Sequence, residues 1–340
     1  MSSSAHPSAS RPSALLGTPL RRRSALGLGL AAAATALAAC SGRGGPGSGK
    51  PTVVTGTYTL SYLVASVGGD LVEQIDLAKP GVDPHGLELS VAEVGQLQSA
   101  DLVIAIPGFQ AAIDDALASH GEDNALLVDS VITLLPADAA AHDHGASDGG
   151  GEHEDEHGSE HDGEEHHDHG DTDPHFWHDP SLMADVGDAV AARLAEIVPD
   201  SAATFTENAA ALRTTLEDLD AELRTLFDAV PGEKPFVTSH TAFAYLAHRY
   251  GLEQIGITGV DPEVEPSPQR LLALETVIQD EGVTTVFFET TASPKVAETL
   301  AANLGIQAAE LDNLETQLDP EVDYPAVMRT NAQALASSWQ

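Results

Sequence analysis

The chain has 340 residues, with 53 Asp+Glu against 15 Lys+Arg, a formal charge of −38, one cysteine and 15 histidines. Such acidity excludes binding of nucleic acid or an anionic membrane surface through charge, since both require a positive footprint, and it makes cations the natural partners. A single cysteine excludes an internal disulfide and any Cys-rich zinc module, while a 42% hydrophobic content with only 4% aromatics allows a core built mainly from Ala, Val, Leu and Ile.

The first forty residues read as an address. Residues 1–20 are rich in Ser, Pro and Ala; Arg21, Arg22 and Arg23 then precede an apolar run over 25–39. That run is shorter than the roughly 20 residues a membrane-spanning helix needs, so 1–39 is expected to be a signal peptide. The run ends in Leu37-Ala38-Ala39-Cys40, which resembles a bacterial lipobox. Cys40 is therefore expected to carry a lipid that anchors the chain to the cell membrane, with 40–51, rich in Gly and Ser, as a tether. Whether export runs through the general or the twin-arginine route stays open.

From residue 52, short apolar runs alternate with helical periodicity. Strands are expected at 53–58, 71–77, 101–106 and 125–128, with helices at 60–67, 90–98 and 110–119 between them. The same texture returns in strands at 235–238, 254–257, 284–289 and 308–311 and helices at 242–250, 268–279, 294–303 and 324–337. The fold class is α/β: two parallel-sheet lobes over 52–180 and 231–340. Residues 181–230 have no strand pattern. Pro199 divides them into one helix before it and a long helix at about 201–230, which would span roughly 45 Å and tie the two lobes rigidly.

Residues 141–170 break the pattern, with eleven acidic residues and eight histidines: His142, His144, His153, His157, His161, His166, His167 and His169. The segment has no apolar face to bury and is expected to be a disordered loop that gathers metal weakly.

Outside it, six histidines remain beyond the lipobox. Imidazoles bind borderline divalent ions, and ligand sites in open α/β sheets collect at the carboxyl ends of strands. His85, in Asp83-Pro84-His85, His175, in Asp173-Pro174-His175-Phe176-Trp177, and His240, in Thr238-Ser239-His240, all fall at such junctions and can meet in one cleft. His120 and His248 read as ordinary surface or helix residues. No His-Glu-x-x-His helix, phosphate-binding Gly loop or nucleophile elbow appears.

These motifs, with Asp83-Pro84-His85-Gly86-Leu87-Glu88, His240-Thr241-Ala242-Phe243, Arg249-Tyr250-Gly251-Leu252, Glu265-Pro266-Ser267-Pro268 and Phe287-Phe288-Glu289 in order, resemble the metal-binding solute-binding lipoproteins of ABC transporters, zinc-type cluster A-I. The resemblance covers nearly all of 52–340. It implies one tight Zn²⁺ site in a cleft between two lobes joined by a long helix, with His85, His175, His240 and Asp312 as ligands. It also implies an auxiliary metal role for the loop histidines and delivery to a permease and its ATPase. A histidine at position 240 gives three nitrogens and one oxygen, which favours tetrahedral zinc over manganese. Asn313 departs from the family's Leu-Asp-Pro-Leu, and His178 stands where leucine is common. His178 is either a spare ligand or an exposed first-turn residue, and Glu88 is expected to support the first ligand by hydrogen bonding. The expected function is extracytoplasmic zinc capture for uptake by a non-enzymatic monomer, with a zinc metallochaperone as an additional partner. The alternatives are a manganese-type or adhesin protein of the same fold, and an extracellular zinc hydrolase with an open coordination position.

Overall fold

The structure, a computed structural model, describes residues 49–121, 123–137, 172–291 and 293–340. Cys40, the expected leader and tether, and the eight histidines of 141–170 lie outside the described residues.

In chain order the elements are β1 (Thr52–Thr55), α1 (Tyr58–Gly68), β2 (Glu73–Asp76), α2 (Val91–Ser99), β3 (Leu102–Ala105), α3 (Ala111–His120) and β4 (Ala125–Leu127). They continue with α4 (Pro180–Ile197), α5 (Ala202–Asp228), β5 (Pro235–Thr238), α6 (Ala244–Tyr250), β6 (Glu253–Gly256), α7 (Pro268–Asp280), β7 (Thr285–Glu289), α8 (Lys295–Leu304), β8 (Gln307–Leu311) and α9 (Tyr324–Ser338). The strands form two four-stranded parallel sheets, ordered β2-β1-β3-β4 and β6-β5-β7-β8. Both sheets reverse their winding at the first strand laid down, between β1 and β3 and between β5 and β7, and ligand crevices open outside the strand ends at such points.

The sequence explains the layout. In β1, β3 and β5 the apolar runs lack alternation because both faces are covered; Val53, Val54, Leu102, Ile104, Phe236 and Val237 are fully buried. The first strand stops at Thr55, earlier than its β-favouring residues suggest. Thr57 caps α1 there by accepting the Leu60 N–H at 3.3 Å, which claims Tyr58 for the helix. Ser90 and Glu93 close a reciprocal cap on α2, and Asp179 caps α4 with Pro180 in its first turn.

The expected division at Pro199 occurs, and α5 runs for 27 residues, about 40 Å at 1.5 Å per residue. Its buried residues Phe205, Ala209, Leu212, Leu216, Leu219, Leu223 and Phe227 recur every three or four positions and form one stripe. The stripe belongs to a continuous core that includes Val53 and Leu63 of the first lobe and Phe236, Phe287 and Leu335 of the second. Two smaller clusters, one in each lobe, add to it. Polar contacts reinforce the axis: Asn208 donates to the Val67 carbonyl of α1 at 2.9 Å, and Arg249 of α6 grips Asp220 through two hydrogen bonds of 2.9 Å. The lobes are thus welded along one helix, and the sites at their strand ends keep a fixed separation. No helix among the described residues is long and apolar enough to cross a membrane.

Leu219 is fully buried midway along the stripe. Leu219→Ala should cost about 2–5 kcal/mol of stability, read as a lower urea midpoint with an unchanged slope. A change below about 0.5 kcal/mol would show that the core does not depend on α5.

Candidate metal centre

Four side chains converge at the carboxyl ends of the two sheets. His85 follows β2, His175 precedes a short helical turn at Phe176–His178, His240 follows β5, and Glu315 follows β8. All four are buried, and each offers a ligand atom within 4.8 Å of the other three. Glu315 Oε1 lies 3.3 Å from His85 Nε2 and 3.6 Å from each of His175 Nε2 and His240 Nε2, while His85 Nε2 and His175 Nε2 are 3.3 Å apart. Donors placed about 2.0–2.1 Å from a central zinc at tetrahedral corners are separated by about 3.3–3.4 Å. The four separations above, 3.3–3.6 Å, are close to that spacing, and the group could hold a single small cation.

Local chemistry aims each ring. Both Asp-Pro-His segments form the same turn: an Asp83 oxygen accepts the His85 N–H at 2.8 Å, and an Asp173 oxygen accepts the His175 N–H at 2.9 Å. Asp173 also holds His175 Nδ1 at 2.7 Å, which turns Nε2 toward Glu315. Glu289, at the end of β7, lies 3.3 Å from His240 Nδ1 and accepts the His240 N–H at 3.2 Å. Gln110 donates to the carbonyls of Gly56 and Pro84, at 2.9 and 3.1 Å, and pins the His85 turn to the end of β1. A Cβ at residue 56 would run into the Gln110 and Ile113 side chains, so this close approach favours glycine. Phe109 packs edge-on against His85, and Trp177 against His175.

The charges of the metal-free site are coupled. Burial penalises a charged His240, but Glu289 and Glu315 outweigh it and raise the imidazole to about 10. Burial likewise opposes a charged His175, and Asp173 and Glu315 prevail, shifting it upward. Burial favours a neutral Glu315, yet the surrounding histidines, His85 foremost, hold it well below the carboxylate range.

Three of the sequence-expected ligands are brought together; Asp312 is not. Its carboxylate accepts the Leu314 N–H at 2.8 Å, and the residue lines a separate cavity of about 350 Å³ with Tyr58, Glu310 and Asn331. Glu315 occupies the fourth place instead. Sequence reasoning missed it because Asp312 and Glu315 share one irregular loop, and the bond that commits Asp312 to the backbone is visible only in the structure. Glu88 is exposed, so the carboxylates beside ligand rings are Asp173 and Glu289. His178 is fully buried, contrary to a surface role. It packs 4.4 Å from the Phe243 ring, its nitrogens lack well-formed hydrogen bonds, and burial lowers it to about 3. It stands outside the four-residue group. His248 is exposed on α6, and His120 ends α3.

Two parallel-sheet lobes on a helical spine, with one buried cation shell at their strand ends, define the class of solute-binding proteins of ABC transporters. Residues 53–338 match the family described as ZnuA: zinc-uptake complex component A periplasmic, and the chain belongs to that family. It is 33% identical over 293 residues to the zinc-binding protein AdcA of Streptococcus pyogenes serotype M1, covering 84% of this chain and 56% of that one. It therefore spans about half the length of such streptococcal relatives. It is 32% identical over 294 residues to the high-affinity zinc uptake system protein ZnuA of Bacillus subtilis, covering 84% and 86% of the two chains. The laminin-binding protein of Streptococcus agalactiae, described as bifunctional with adhesin and metal transporting activity, has a similar structure. That similarity has a TM-score of 0.71 at 27% identity and covers 85% of this chain and all of that one.

The shifted histidine has a consequence with a definite sign. An unfolded imidazole titrates near 6.5, so a folded-state value of about 10 gives His240 a stabilising contribution that is complete below about pH 6.5 and lost as the pH rises toward 10. The unfolding temperature of metal-free protein should fall across that window, and Glu289→Gln should flatten the fall. A midpoint that stays level in the unsubstituted protein would contradict the assignment.

Proposed function

We propose that the protein captures Zn²⁺ outside the cytoplasm and hands it to the permease of an ABC uptake system, with zinc as cargo. The observation that carries this reading is the set of four buried donors, three imidazoles and one carboxylate, with ligand atoms all within 4.8 Å of one another and the Glu315 oxygen 3.3–3.6 Å from each ring nitrogen. Three nitrogens and one oxygen suit zinc better than manganese, which favours more oxygen. The names of the relatives point the same way. Four protein donors close the shell, whereas a catalytic zinc keeps a position for water, so the reading is binding without catalysis.

The wider scheme assigns residues 1–39 to a signal peptide and Cys40 to lipidation, so that a tether over 40–51 keeps the protein beside its permease and ATPase. Residues 52–180 and 231–340 are the two lobes, and 181–230 link them. The histidines of 141–170 gather zinc weakly before it enters the tight site, and a metallochaperone is an additional source. The protein acts as a monomer and does not engage nucleic acid. A second reading, adhesion to a host surface in addition to transport, draws on the structural likeness to the bifunctional streptococcal protein.

Metal analysis with titration calorimetry should give one tight zinc equivalent in the purified protein. His240→Ala should weaken that site by more than about 100-fold, while His248→Ala should leave it unchanged. Deletion of 141–170 should remove only weak equivalents. Because zinc displaces the proton held by His240, whose imidazole is raised to about 10, the apparent binding enthalpy at pH 7 should vary with buffer ionisation enthalpy. Absence of stoichiometric zinc, or ester hydrolysis above that of free zinc, would overturn the proposal.

A further inference from the structure

Asp312 is held too carefully for a bystander. Its amide donates to Asn331 Oδ1 at 3.0 Å, and Asn331 Nδ2 donates back to its carbonyl at 2.6 Å, so the residue is clamped from both sides by α9. From that clamp its carboxylate accepts the Leu314 N–H at 2.8 Å. Leu314 has φ 63°, the only positive φ at a non-glycine position among the described residues, and its side chain is buried. A bulky residue in the left-handed region is held there by its surroundings, and such residues concentrate where function needs a fixed geometry. The next residue is Glu315.

The opposite side of the same loop is fastened to the first lobe. Trp177 Nε1 donates to the Asn313 carbonyl at 2.8 Å, the Tyr58 N–H to the Glu315 carbonyl at 2.9 Å, and the Gly81 N–H to Thr316 Oγ1 at 3.3 Å. The backbone carrying the fourth donor is thus strung between α9 and the other lobe, and none of these bonds uses the Glu315 carboxylate. In the turns before His85 and His175, an aspartate likewise bonds the N–H two residues on. In the third case the bonded N–H belongs to the residue before the donor.

We propose that Asp312 is a positioning residue for Glu315: by holding the left-handed turn at Leu314 it keeps the carboxylate on the ion and sets the rate of zinc release. The proposal rests on reading the site as a zinc centre. It is distinct from direct coordination, because a turn acceptor need not be charged: an asparagine Oδ1 accepts the same N–H, whereas replacing a ligating carboxylate by an amide weakens the metal bond.

The test uses the full chain and follows zinc transfer to excess chelator by stopped flow, alongside equilibrium competition and the unfolding temperature of metal-free protein. Asp312→Ala should speed zinc release by about 10–100-fold while moving the metal-free midpoint by no more than about 4 °C. Asp312→Asn should restore release to within about threefold of the unsubstituted rate, since it keeps the acceptor. Should Asp312→Ala fail to fold, Asn331→Ala, which loosens the turn from α9, is expected to show the same acceleration. Unchanged release in these alanine variants would overturn the proposal. So would an Asp312→Asn protein that releases zinc as fast as Asp312→Ala, because charge would then be the operative property. An unsubstituted protein that takes up no zinc would overturn the zinc reading itself.

Discussion

A carboxylate with no access to water sits among three imidazole nitrogens, and the rest of the structure serves that arrangement. Withdrawing an ionised carboxylate from water costs several kcal/mol unless positive charge replaces the lost solvation. Around Glu315 the replacement comes from one of two sources: protons on His240 and His175, which Glu289 and Asp173 respectively shift upward with Glu315 adding to both, or a cation at the centre of the four donors. Protons on the rings and a cation among the donors would therefore compete for one arrangement. Asp173 and Glu289 stand behind two of the rings and favour positive charge in either form.

Much of this was legible in the chain. The alternation of apolar runs and helical periodicity marks both sheets, Pro199 marks the break between α4 and α5, and three histidines fall at strand ends where open α/β sheets place their ligands. The fourth donor was not legible in the same way. Asp312 and Glu315 lie three residues apart in one irregular loop, and spacing alone ranks neither above the other. What separates them is a backbone hydrogen bond and a left-handed residue, both set by tertiary contacts with α9 and the first lobe. His178, expected as a spare ligand or an exposed first-turn residue, is buried for a related reason: the turn that presents His175 carries it inward onto Phe243.

The two lobes repeat one topology, and each supplies its ligands from the same end. Had they been joined by a flexible linker, closing the shell would require ordering two bodies against each other at each capture. The stripe on α5 and the core it shares with both lobes remove that step.

One small feature reaches further than its size. Pro136 and Thr172 form an isolated antiparallel bridge, and the Asp173 N–H donates to the Leu135 carbonyl at 2.7 Å. Residues 135–136 and 172–173 thus lie side by side, two residues from His175. An insertion whose ends are already stapled exerts no geometric demand on what lies between them, and lengthening it carries only a slowly growing entropic penalty.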